Sequence, residues 1–370
     1  MSKSTASLIE SAIPDLMDGT AAPELCNRVV EYGLKSLPIL ARHLSEDMPI
    51  ERLERLEALL KKVLGRVLNG DISGEVAREV ARFQQKTGFL FKYKSYAIKA
   101  ASPLGYSIFI QNENEGFSFQ RHLSHKTEVF HILDVLPGGY VFVCEYQEWL
   151  RVYEEGSFAE WLSGKPDKRY DAYRFYPRPG DIFKIDEIGL VHTAIGCILE
   201  EFATVSTDMV DRLHDQNAGR RVPSFFSRRY FNDRLQSISF PTVARQVRIR
   251  PSDKDVEIIS PVKIRGGKLI PLARSSVVAS RYVIDPLETS DLYQDRACAA
   301  SLYIAKGKGR LIMGEPSEAR ALTPPTLSVS KGDLLMVPSR IQYGFINEGS
   351  EALEVSEQRI PLDVAFTPNS

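Results

Sequence analysis

The chain has 370 residues, with 47 Lys and Arg against 48 Asp and Glu, a formal net charge of −1. So balanced a chain lacks the basic excess that nucleic acid or an anionic membrane surface demands, and its length suffices for two or three domains. No apolar run approaches the ~20 residues of a membrane helix, and the opening MSKSTASLIESAIPDL lacks the apolar core of a signal peptide.

The first section, residues 1–90, reads as helical. Leu53 to Leu64 repeats apolar residues at three- and four-residue intervals, and 71–83 keeps that character. It carries a single histidine, His43, read as a surface residue, and no chemistry. A helical cap or a homodimerisation element is the expectation. From about Phe89 the texture changes to short runs rich in Tyr, Phe, Val and Ile, broken by Gly, Pro and Asn. Tyr106 to Gln111, Phe117 to Leu133, Gly139 to Glu145, Asp181 to Asp186 and Cys197 to Thr204 fit strands, and such spacing suggests a β-sandwich or barrel over 91–225. Residues 147–173, with Trp149 and Trp161, interrupt it as a helical insertion. A basic link at 220–250 leads to a second β section within 226–370, with strands expected at 277–284, 300–305, 309–313 and 334–338. That section has no histidine. The four cysteines, Cys26, Cys144, Cys197 and Cys298, show no paired spacing, so a reduced cytoplasmic protein is expected, with Cys144 and Cys197 as small core residues.

Five of the six histidines fall between 122 and 214. The stretch Ser118-Phe-Gln-Arg-His122-Leu-Ser-His125-Lys-Thr-Glu128-Val-Phe-His131 mixes amide, imidazole and carboxylate with apolar residues, and His192 follows in a second strand-like run. A strand shows alternate residues to one face, so a barrel wall can aim several such groups at one interior ion. This donor set suits Zn, Mn, Fe(II) or Co. The spacing 122–125–128 does not place all three on one face, which calls for a bulge or turn. His125 reads equally as a spare imidazole or as a substitute ligand. His131 and His214 read as packed or hydrogen-bonded residues, and Gln120 is a weaker ligand than the imidazoles.

In order along the chain, Gln120-x-His122, Lys126-Thr-Glu128, Gly189-x-x-His192 and Ser206 to Asp215 with Arg212 resemble the motifs of the cupin-type phosphomannose isomerases. The resemblance covers 105–365 loosely and the four motifs closely, and leaves the helical N-terminus outside. It implies a mainly β chain of two cupin (jelly-roll) domains, the second metal-free. It implies a divalent ion on Gln120, His122, Glu128 and His192, zinc first with Mn or Fe as the others, and Arg212 as a catalytic arginine. Only Leu123 to His125 separate the first two motifs, where the family has a long loop. Asp211 precedes Arg212, where the family usually has Tyr.

Aldose–ketose isomerisation of a sugar or sugar phosphate needs a Lewis acid for the oxygens and a group that shuttles a proton, with an enediolate between. Lys126, two residues before Glu128, shares its face. Glu200 or Glu201 is a candidate base, and only one of two neighbours on a strand can face inward. Arg220-Arg221 and Arg228-Arg229 read as a phosphate site or equally as a solvated basic link. An Fe(II) cupin oxygenase, using the extra His125 and His131, and a non-catalytic sugar-binding cupin remain the alternatives.

Overall fold

The computed structural model describes residues 5–19, 23–31, scattered positions from 36 to 63, and 73–361. Within the last span 88–89, 103, 124–125, 155–156, 186–188, 205–209, 250–253 and 296 are excepted. His43, His125 and most of the repeat from Leu53 to Leu64 therefore lie outside the described residues. Helices α1 (Thr5–Asp18), α2 (Pro23–Glu31) and α3 (Gly74–Thr87) precede the strands. Along α3, Ala77, Val80, Ala81 and Gln84 are buried at the spacing of one helical face. That face covers the second half of the chain: Ala77 and Ala81 join its core, and the Gln84 side chain accepts a hydrogen bond from the Met336 amide at 2.7 Å.

The described residues are mainly β. The first half holds β1 (Leu90–Tyr93), β2 (Ala97–Ala101), β3 (Tyr106–Gln111), β4 (Phe119–His122) and β5 (Glu128–Glu145). The excursion α4 (Tyr146–Glu154), α5 (Phe158–Leu162) and α6 (Lys168–Asp171) follows, then β6 (Arg174–Phe175), β7 (Asp181–Ile185), β8 (Leu190–Ala203) and β9 (Val210–His214). The stretch read as a basic link instead carries α7 (Arg228–Ser237) and β10 (Ala244–Ile249), which runs parallel to β7, and β11 (Lys254–Ile259) pairs with β10. The first sheet thus extends past 225, because β10 buries Ala244 in the core shared with the second half and Val247 in the opposite interior. Of the basic residues there, Arg220 pairs with Glu115 and Arg229 with Asp233.

The second half holds β12 (Val262–Ile264), β13 (Gly267–Arg274), β14 (Val278–Ile284), β15 (Cys298–Lys306), β16 (Lys308–Gly314), α8 (Pro316–Ala319), β17 (Thr326–Ser330), β18 (Leu334–Val337), β19 (Gln342–Asn347) and β20 (Leu353–Pro361). Its strand order repeats that of the first half. β1-β2-β3-β8-β5-β7 recurs as β12-β13-β14-β20-β15-β18, and β6-β5-β8 recurs as β17-β16-β19.

The halves meet face to face. Ile108, Val129, Ile198 and Phe202 of the first half pack in one core with Ile270, Ala279, Tyr303 and Leu334 of the second, and with Phe231 and Leu235 of α7. The opposite face of the first sheet encloses a separate interior of Phe109, Phe130, Phe183, Ala194, Cys197 and Leu199. β8 therefore has no solvent face, which explains why its sequence is apolar almost throughout. Ala194 and Cys197 share the interior although strict alternation would oppose them. Gly196 between them has φ +62°, and the Gln111 side chain spans the irregularity, donating to the Ala194 carbonyl and accepting from the Cys197 amide, each at 2.9 Å. A Cβ at Gly196 would sit 3.1 Å from Gly139 Cα. The phase shift leaves Leu199 and Glu201 facing the interior, and Ile198, Glu200 and Phe202 facing the second half.

Candidate metal centre

Three strands bring one side chain each to a point. His122 ends β4, Glu128 starts β5 and His192 stands near the start of β8. Their ligand atoms all lie within 4.8 Å of one another and all three residues are buried. Glu128 Oε1 is 3.4 Å from His122 Nε2, and its Oε2 is 3.3 Å from His192 Nε2. His192 Nδ1 faces the Leu190 carbonyl at 3.1 Å, which favours a proton on Nδ1 and leaves the Nε2 lone pair for the centre. Among the described residues neither ring nitrogen of His122, nor Glu128 Oε2, has a hydrogen-bond partner, although all are buried. Buried polar atoms are almost always paired, so His122 Nε2 and Glu128 Oε2, both unpaired beside His192 Nε2, fit a divalent ion. The Gln120 amide nitrogen lies 3.4 Å from His192 Nε2, so its side chain borders the same point.

The charges around the centre are arranged in opposition. Burial alone would raise the Glu128 carboxyl, but Lys126, which pairs with it, and the imidazoles of His122 and His192 hold it well below the usual carboxylate range. Burial and the nearby Glu128 charge push Glu201 up, against Lys99, Lys126 and His122. Glu201 is therefore the inward member of the acidic pair. Glu200 faces the second half, where it accepts hydrogen bonds from Tyr106 (2.6 Å), Ser356 (2.6 Å) and Arg281 (2.6 Å) and meets His131 Nδ1 at 2.8 Å. With four partners and a carboxyl that Arg281 and His131 hold down to about 2 against burial, Glu200 has no proton to offer the centre.

Arg212 lies on β9 directly opposite Gln120, with its side chain 67% exposed and 3.8 Å from Asp215. It stands at the rim, not against the triad. His131 belongs to the Glu200 cluster, and His214 packs against Phe158 at 4.9 Å between ring centroids. Two residues outside the expected set also face this interior. Lys99 lies over the Phe109 ring at 4.6 Å and acts on Glu201, and Tyr96, raised to about 12 by burial and by Glu201, feels both Arg212 and Glu128. Only the alternation of β2 could have signalled Lys99. A cleft lined in part by Val143, Phe183, Leu190 and Val247 includes none of the three candidate ligands, although Val143 lies directly opposite His192.

No protein-family model matches the sequence, and the search of curated proteins finds no match. Among solved structures, the mannose 6-phosphate isomerase of Bacillus subtilis aligns at 16% identity and TM-score 0.45, over 69% of this chain and 74% of its own. An oxalate decarboxylase variant from Bacillus subtilis aligns at 12% identity and TM-score 0.40, over 74% of this chain and 77% of its own. Procruciferin, an 11S globulin of Brassica napus, aligns at 11% identity and TM-score 0.45, over 73% and 82%. No helix among the described residues is long and apolar enough to cross a membrane. Each of these structures is a distant likeness, and what the centre can do rests on the residues this chain places there.

Proposed function

We propose that the chain is a metal-dependent aldose–ketose isomerase acting on a sugar or sugar phosphate, similar to mannose-6-phosphate isomerase, with two cupin domains of which the first holds the ion. Zinc is the first candidate for that ion and the cytoplasm the first candidate location. The observation that carries the reading is the placement of Lys126 and Glu201 around one His–Glu–His set, where the Glu128 carboxyl paired with Lys126 is held down while burial and Glu128 push the Glu201 carboxyl up. Pairs of titratable groups pushed apart by their surroundings are what general acid–base chemistry requires.

When bound, the ion would supply Lewis acidity to the oxygens of an open-chain sugar. His122, Glu128 and His192 would hold it, with Gln120 at its edge. Glu201, kept protonated more readily than an ordinary carboxyl, can give and take a proton on the substrate side. Lys126 can donate to an oxygen there or remain with Glu128. The Phe109 and Phe130 rings exclude water from the floor. Arg212, exposed at the rim, suits capture of an anionic part of the substrate. The oxygenase reading called on His131, and that side chain is committed to Glu200 on the other face of the sheet.

The test is direct. Protein reloaded with zinc or manganese is incubated with mannose 6-phosphate and a panel of aldoses and aldose phosphates, and ketose is measured with and without chelator. Metal-loaded protein that interconverts none of them would sink the reading.

A further inference from the structure

Because the two halves repeat one strand order, each position at the metal centre has a counterpart in the second half. Pairings fix the register. Gly116 opposes Ile195 and Gln120 opposes His192 in the first half, as Thr289 opposes Ile346 and Tyr293 opposes Tyr343 in the second. The step between the two pairings is the same in both: four residues on one strand and three on the other. Gln120 and His192 thus correspond to Tyr293 and Tyr343. His122, two residues beyond Gln120, corresponds to Asp295.

The long strands extend the match. Glu128 opposes Ala203 and Phe130 opposes Glu201, while Ala300 opposes Arg359 and Leu302 opposes Glu357. Ser107 faces Glu201 across β3, as Ser280 faces Glu357 across β14. The inward glutamate is therefore kept, and burial pushes both carboxyls up. The pair beside it is inverted. A carboxylate facing a methyl in the first half becomes a methyl facing a guanidinium in the second.

The second set does not fit a divalent ion. Both imidazoles are gone, the ligand carboxylate is an alanine, and the Tyr343 phenol is pushed well above its usual range by burial and Glu357. The space freed on β15 faces Arg359 instead. Its Nε lies 3.3 Å from Glu357 Oε2 and its Nη1 lies 3.8 Å from Asp295 Oδ2. Tyr282 donates to Glu357 at 3.1 Å, and Tyr343 donates to its other oxygen.

We propose that the Arg359 guanidinium is a built-in cation that stands in the second half where the first half takes its ion, so that the chain binds one divalent ion and the second half folds without any. The inference rests on the metal reading of the first half, and not on which reaction that half performs. Glu357 is fully buried, and Arg359 is the strongest influence favouring its charged form against that burial, so losing the guanidinium strands the carboxyl.

Two measurements test it. Protein dialysed against zinc and analysed by atomic emission should hold one ion per chain. Thermal unfolding of Arg359→Met should fall by about 5 °C or more, by the same amount with and without chelator. Because that variant leaves Glu357 uncompensated, Glu357→Gln/Arg359→Met should recover part of the loss, which also decides the matter if the single variant is insoluble. A count of two ions or none, an unchanged melting temperature for Arg359→Met, or a double variant no better than the single one would each overturn the proposal. One ion bound with no isomerase turnover would defeat the proposed reaction and leave the role of Arg359 intact.

Discussion

Arg281 reaches from the second half of the chain to Glu200 in the first, with its Nη2 2.6 Å from Glu200 Oε2 and both side chains fully buried. A buried ion pair adds little net stability over apolar residues of the same volume, but losing one partner strands a charge. Arg281→Met should therefore cost about 3–5 kcal/mol in urea unfolding, and pairing it with Glu200→Gln should recover part of that. A loss below about 1 kcal/mol, as for exposed pairs, would show that water reaches the cluster.

The same cluster makes stability depend on acid. Burial lowers the His131 imidazole from its ordinary value of 6.5 despite Glu200, so the unfolded chain takes up a proton below 6.5 that the folded chain refuses. That contribution is lost as pH falls below 6.5. Glu200, lowered from 4.5 to about 2, contributes fully above 4.5 and loses its share between 4.5 and 2. The buried carboxyls of Glu201, Glu354 and Glu357 are raised and act with the opposite sign. The clean measurement is thus a comparison: the drop in unfolding midpoint from pH 7 to pH 5 should be smaller in His131→Gln than in the wild type. Equal drops would assign the acid sensitivity elsewhere.

At the centre itself, His192→Ala should empty the metal site, since it removes one of three buried ligands and the nitrogen that Leu190 orients. Stoichiometric metal in that variant would take His192 out of the shell. Glu201→Gln should retain the ion and lose ~10²-fold or more in turnover on any aldose the protein converts. A loss of only a few-fold would leave Lys126 to handle the proton alone. Arg212→Ala should instead raise KM by ~10-fold or more with a smaller effect on kcat, because an exposed rim residue binds more than it stabilises.

The thiols give a control independent of function. Cys144 and Cys197 are buried and pushed up by that burial, Cys197 to about 12, whereas Cys26 and Cys298 are partly exposed. An aromatic disulfide reagent should label two thiols in the native protein and four only in denaturant. Rapid labelling of all four would mean that both the interior around Cys197 and the aromatic cluster around Cys144 open readily.

The strand periods of the first half, the change of texture near residue 89 and the His122–Glu128–His192 constellation could all be read in the sequence, because each is a local alternation of residue types. What could not be read is instructive. The choice between Glu200 and Glu201 depends on the left-handed turn at Gly196, which reverses the alternation that began at His192. β10 looked like a basic link because four of its six residues are only partly buried or exposed, and its partner β7 lies over 60 residues earlier. Arg212 matched a motif by position, yet exposure is set by β9 lying at the edge of its sheet, which no one-dimensional pattern reports.

β8 serves two interiors at once, and this makes its length unforgiving. Deleting one residue between Gly196 and Glu201 would turn Glu200 toward the candidate metal centre and send Glu201 among the apolar side chains shared with the second half. The excursion from Tyr146 to Asp171, by contrast, packs on the sheet through rings such as Trp149 and Trp161 and is tied to it at Asp171 by Arg174 and Lys254. Chains descended from a common ancestor with this one should vary in length along that excursion and keep the residue count of β8 constant.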